Sequence, residues 1–219
     1  MGATVSVPHQ GDEKLLCRQS PIALPALVPV PNNGHFLLAY GSGDASVVHD
    51  GPNIFVLWCG GPTSVLVLEG NVYHPKQFHF HTPSEHTVAG IQFPLELHIV
   101  HADANDNLAV VAFVFVYGDA DNKFLNEIWS FLPQLRTHEQ AIPIGTIDGS
   151  VLLQAHDAFY HYSGSLTTPP FAEGVEWIVC HQPRMVSPAQ VAALFTAMQC
   201  ANARTLQPLN DRTVVLYGS

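Results

Sequence analysis

Between Lys76 and Gly90 the chain reads KQFHFHTPSEHTVAG, and this alternation narrows the local structure more than any other stretch. Along an extended strand, residues i and i+2 share a face. Gln77, His79 and His81 therefore point one way, and Phe78, Phe80 and Thr82 the other. One face demands an apolar partner layer, while the other carries a row of nitrogen ligands. Either something binds between the imidazoles, or polar rings are buried at a cost.

Runs rich in valine and aromatic residues, separated by Gly, Pro, Asn and Asp, predict further strands. They cover residues 35–40, 53–59, 64–69, 77–82, 95–101, 108–117 and 175–181. The opening PIALPALVPVPNNG is proline-rich and lacks periodicity, which predicts loop and edge strand. Two helices stand out. In SPAQVAALFTAMQC, Ser187 is the N-cap, Pro188 takes the first helical position, and Val191, Leu194, Phe195 and Met198 form a stripe. In DNKFLNEIWSFLPQLR, Phe124, Leu125, Ile128, Trp129 and Leu132 repeat that spacing until Pro133 must kink or end the helix. With no repeat or linker, residues 1–219 read as a single domain. The expected fold is mainly β: a large, mostly antiparallel, twisted central sheet with a few peripheral helices.

Composition excludes several classes of function. A formal charge of −10, with only eight Lys and Arg, leaves no basic patch for nucleic acid. The longest apolar runs, Val65 to Leu68 and Leu108 to Val116, are too short for a transmembrane segment. No basic, then apolar, secretory signal opens the chain. MGATVS fits an N-myristoylation pattern at Gly2, as would a start codon placed before a trimmed chain. Cys17, Cys59, Cys180 and Cys200 show no C-x-x-C pair, so zinc-finger and thioredoxin readings lack support.

PLELHIVHAD supplies a third imidazole. In this strand Glu96, His98 and Val100 share a face. Paired with the first histidine strand, it sets His98 against His79 and His81. Three neutral imidazoles on adjacent strands hold Zn2+ and leave its fourth position open, the catalytic arrangement. Gln77 and Glu96 share the ligand faces and are placed to accept the remaining N–H of a ligand ring. A competing reading takes His79, His81 and Glu85 as the first motif of a cupin, which binds iron or manganese. It fails at the required glycines: Glu96 stands where the one before His98 is needed.

QSPIAL, NNGH, QFHFHTPSEHTV, ELHIVH, LAVVAF, YSGSLTTPP, EGVEWIV and QPLNDR then follow one another in the order found in α-class carbonic anhydrases. The chain resembles the shorter microbial or algal members of that family over about 190 residues. The resemblance implies a zinc lyase for reversible hydration of CO2 to bicarbonate and a proton, through zinc-bound hydroxide. His79, His81 and His98 match the metal ligands, Thr167 the threonine that orients the hydroxide, and Glu85 the carboxylate behind it. Val100, Val110, Leu166 and Trp177, alone ordinary core residues, match the apolar wall where CO2 rests, and Thr168 the polar side. His35, in NNGH, matches the proton shuttle; Leu38 replaces a residue that is commonly amide-bearing, which should weaken the water chain.

Sulfonamides and small anions are the inhibitors the resemblance implies, at the open zinc position, and the assembly is a monomer or homodimer. Phe171 occupies the position of the second cysteine of the disulfide usual in secreted members, and Cys17 lies too near Gln19 for the first. Secretion or a periplasmic location is the habit of the short relatives, whereas the missing staple suits a cytoplasmic setting. A family relative that has lost catalysis and serves as a binding module is the alternative, and it typically lacks a zinc histidine.

Overall fold

The computed structural model of the chain describes residues 17–136 and 140–218; the Gly2 pattern lies outside the described residues. Two short strands, β1 (Ala23–Leu24) and β2 (Val30–Pro31), punctuate the proline-rich opening. After the Asn-Asn-Gly-His turn come β3 (Phe36–Ala39) and a hairpin of β4 (Ser42–Asp50) and β5 (Asn53–Trp58). β6 (Val65–Leu68) leads into the long histidine strand β7 (Asn71–His81). β8 (Thr87–Val88) and β9 (Ile91–Gln92) precede β10 (Leu95–Ala102) and β11 (Leu108–Tyr117). Helix α1 (Lys123–Trp129) is followed by β12 (Ile142–Asp148), β13 (Phe159–Ser165), β14 (Glu173–Cys180) and β15 (Arg184–Val186). Helix α2 (Pro188–Met198) and β16 (Val215–Gly218) complete the described chain.

The large sheet has the order β12-β4-β5-β7-β10-β11-β14-β13-β16-β2, with β3, β6 and β15 attached beside it. Most neighbours are antiparallel, but β11 runs parallel to β14 and β15, and β16 parallel to β2, so the sheet is mixed. Its two faces build two apolar layers. The phenylalanine side of β7 joins Leu97, Ile99, Val111 and Phe113 with the apolar stripes of both helices, except that Phe195 of the α2 stripe is exposed. The opposite side gathers Val110, Ala112, Val114, Trp177, Val179 and Tyr162. β11 is covered on both faces, which explains its apolar run from Leu108 to Val116.

At α2 the capping box is complete: Ser187 Oγ accepts from the Gln190 amide, and the Gln190 side chain accepts from the Ser187 amide. α1 is shorter than its stripe suggests. It stops at Trp129, and Leu132 and Pro133 fall in a separate 3-10 turn. Proline has no N–H to give the carbonyl four residues back, and it disfavours helical backbone in the residue before it.

His101 is locked into the buried end of β10. Its Nδ1 lies 2.9 Å from the Ile99 carbonyl, which can only accept, so Nδ1 carries the proton. Nε2, 3.2 Å away, then accepts from the Tyr40 hydroxyl. Burial holds the imidazole down to about 4. The unfolded chain binds this proton near pH 6.5 and the folded chain does not. Stability is therefore lost as pH falls from about 6.5 to about 4, by roughly 3 kcal/mol from this ring. Urea unfolding between pH 7 and pH 4 will show a shallower acid loss in His101→Gln than in the parent; equal slopes would refute this assignment.

Candidate metal centre

β7 and β10 pair antiparallel with His98 directly opposite His79 and Glu96 opposite His81. The three imidazoles thus leave the sheet together on the side away from Phe78 and Phe80. All three are buried, and each offers a nitrogen within 4.8 Å of those of the others. Burial and the neighbouring rings of His81 and His98 hold His79 well below the usual histidine range, and burial also lowers His81. Both rings stay neutral, the form that ligates metal.

Each ring has one nitrogen committed outward. His79 Nδ1 lies 3.0 Å from Gln77 Oε1, His81 Nδ1 3.3 Å from the Asn202 carbonyl, and His98 Nε2 2.8 Å from Glu96 Oε1. These acceptors put the protons on those nitrogens and turn three lone pairs inward. His81 Nε2 and Glu85 Oε2 are both buried without a hydrogen-bond partner and face each other at 3.5 Å. Two acceptors in that position repel unless a cation lies near them. The donor set therefore fits a divalent ion that favours imidazole, with Zn2+ the natural match.

A second group, His86, Glu96 and His98, also has the spacing for a metal. Its atoms are already committed. His86 Nδ1 donates to Glu96 Oε1 at 2.7 Å, and its Nε2 then accepts from the Tyr162 hydroxyl at 2.7 Å. Glu96 Oε2 accepts the amides of Glu85 and His86 at 2.8 and 2.9 Å. Burial pushes the Glu96 carboxyl up, but the imidazoles of His86 and His98 bring it well below the usual range. Glu96 is thus an ionised support behind His98. The acceptor for His81 and the His86–Tyr162 link escaped the sequence reading. Asn202 is 121 residues from His81, and no local pattern announces the contact.

In front of the imidazoles lies a cavity of about 280 Å³. Val100, Val110, Leu166, Thr167, Thr168 and Trp177 line it together with His79, His98 and Gln77. Asn53 and Phe55 from β5 and Leu108 from β11 complete the wall, positions the sequence did not single out as site residues. Phe55 pairs with His79 across the strands, their rings 5.4 Å apart. Among the described residues, no hydrogen bond joins Thr167 to Glu85; Glu85 Oε1 instead accepts from the Arg204 amide at 2.8 Å.

His35 is not brought to this cavity, which corrects its reading as a proton shuttle. Its ring is exposed and stacks on Tyr217 of β16, centroids 5.0 Å apart. Phe36 beside it packs into the layer on the phenylalanine side of the sheet, against Phe159 and Tyr217. The ligands leave from the other side. The register also separates them: Phe36 lies opposite Leu68, and Leu68 opposite Asn71, eight residues before His79 on β7. At about 3.3 Å per residue that is roughly 25 Å of strand. Leu38 packs against the same layer as Phe36 and is likewise remote from the cavity. The misleading signal was NNGH itself. The turn that approaches the centre is Asp50-Gly51-Pro52-Asn53, because the strand it leads into pairs with β7 and Asn53 lines the cavity. Cys59, Cys180 and Cys200 are free thiols. No helix among the described residues is long and apolar enough to cross a membrane.

Residues 17–218 match the family model of eukaryotic-type carbonic anhydrase. The carbonic anhydrase of Klebsiella pneumoniae is 36% identical over 200 residues, 90% of this chain and 79% of the relative. Among solved structures, a hyperthermostable carbonic anhydrase from an active hydrothermal vent chimney superposes with a TM-score of 0.82. It is 36% identical and covers 91% of this chain and 87% of its own. The α-carbonic anhydrase of Thermovibrio ammonificans, solved with the inhibitor sulfanilamide, gives 0.79 at 38% identity, covering 90% and 86%.

Proposed function

The chain belongs to the eukaryotic-type carbonic anhydrase family, and on that premise we propose that it hydrates CO2 to bicarbonate at a zinc ion held by His79, His81 and His98. The observation that carries this reading is the set of three inward lone pairs, each fixed by an outward acceptor. Zinc bound there supplies a water acidified enough to attack at neutral pH.

The chain's own residues do the rest. Val100, Val110, Leu166 and Trp177 offer an apolar wall suited to an uncharged linear molecule. Gln77, Glu96 and the Asn202 carbonyl hold the imidazoles in the ligating tautomer. The Thr167 hydroxyl, on the cavity wall, orients the attacking oxygen by accepting its hydrogen bond. It passes its own proton toward Glu85, which when ionised can only accept. Sulfonamides compete for the same open position.

Stopped-flow CO2 hydration on the zinc-loaded chain tests this directly. Fast hydration abolished by chelation and restored by zinc is expected; hydration at the buffer rate with one zinc bound refutes it. The proton leaves without His35. His35→Ala will keep the parental rate in dilute buffer, and a several-fold loss there would return His35 to the proton path.

A further inference from the structure

We infer that Arg204 is a positioning residue that fixes the loop carrying Thr167, an inference that rests on the proposed role of Thr167. The loop from Leu166 to Ala172 closes on itself: the Leu166 amide donates to the Ala172 carbonyl and the Phe171 amide to the Thr168 carbonyl, both at 2.9 Å. Thr167 and Thr168 line the cavity from it. Phe171 is its handle. It sits at φ 59°, a left-handed backbone that an aromatic residue keeps only where its surroundings fix it.

Those surroundings are Arg204 and Gln19. The Arg204 guanidinium carbon stands 3.8 Å from the Phe171 ring centroid, well inside cation–π range. Its Nη1 donates to Gln19 Oε1 at 3.0 Å and to the Ser20 carbonyl at 2.7 Å. Gln19 Nε2 in turn donates to the Phe171 carbonyl at 3.1 Å. The amide of the same arginine donates to Glu85 Oε1. One residue therefore touches the loop, the segment that backs it, and the carboxylate assigned to Thr167. No disulfide ties the loop to the segment at this point, since Phe171 is no cysteine. Planarity is essential here: lysine would keep the charge but not the stacked fork.

Amide hydrogen exchange on the zinc-loaded full chain tests this independently of turnover. In Arg204→Lys and in Phe171→Ala, exchange at the Leu166 and Phe171 amides should rise about tenfold or more, with β7 and β10 amides unchanged. Phe171→Tyr, which keeps a ring under the guanidinium, should retain the protection. The first two variants should also lose about tenfold in kcat/KM for CO2 at unaltered zinc affinity, and lose nothing further once Thr167 is alanine. Unchanged protection in both variants overturns the inference. So does lost protection with parental kcat/KM, because the contact would then be structural only. A parent protein that binds zinc but does not hydrate CO2 refutes the carbonic anhydrase reading instead, and exchange still decides whether Arg204 holds the loop.

Discussion

His98→Ala will weaken zinc binding by at least about 10³-fold and reduce CO2 hydration to the buffer rate. An outer partner of a metal ligand is typically worth 10–100-fold in affinity, and a ligand itself more. His98 is well suited to this comparison because its support is rigid. Glu96 Oε1 fixes its Nε2, and that carboxylate is anchored by two backbone amides and by His86. Removing the ring leaves Glu96 buried with one partner fewer, so the fold will lose stability as well. Gln77→Ala is the control. It removes only the acceptor behind His79, on the cavity wall, and should cost about 10–100-fold in zinc affinity. Competition with a chromophoric chelator separates the two. Parental zinc affinity in His98→Ala would overturn the three-histidine centre, and the metal would have to be sought elsewhere.

Alternation made the ligand strands legible. Phe78 and Phe80 needed a core, which forced His79 and His81 to the other face, and His98 followed by the same rule on the next strong strand. The pocket residues were legible only by resemblance, since Val110 and Trp177 are indistinguishable from core residues until the cavity gives them an open side. What failed was the assignment of His35. Asn-Asn-Gly-His has the composition of a turn, and the sequence holds a second turn, Asp50 to Asn53, without that signature. Strand pairing chose between them: β5 hydrogen-bonds to the histidine strand at Phe55 and His79, while β3 pairs only with β6, which joins the other end of that strand at Asn71 to Tyr73. Neither pairing can be read locally. The same holds for Asn202 and Arg204, which reach the site from the segment after α2.

Thr167→Ala is the second large effect expected: a loss of about 100-fold in kcat/KM with zinc affinity nearly parental. Thr167 is not among the residues grouped as ligands, so the metal has no reason to leave. What is lost is orientation of the attacking oxygen, and groups that orient or stabilise reacting atoms in a cavity are commonly worth 10²–10³-fold. The partner should behave as one unit with it. Glu85 is almost fully buried, and its Oε2 has no hydrogen-bond partner in the resting arrangement, so a donor there has an acceptor waiting. Glu85→Gln presents an amide that donates as well as accepts and no longer dictates which way the hydroxyl points. It should cost about as much as Thr167→Ala, and the double variant little more than either, the non-additivity expected of residues acting through one hydrogen bond. Thr167→Ser, which keeps the hydroxyl, should recover most of the rate. If the two losses multiply instead, Thr167 and Glu85 act separately, and the carboxylate serves the electrostatics of the imidazole cluster rather than the direction of the threonine proton.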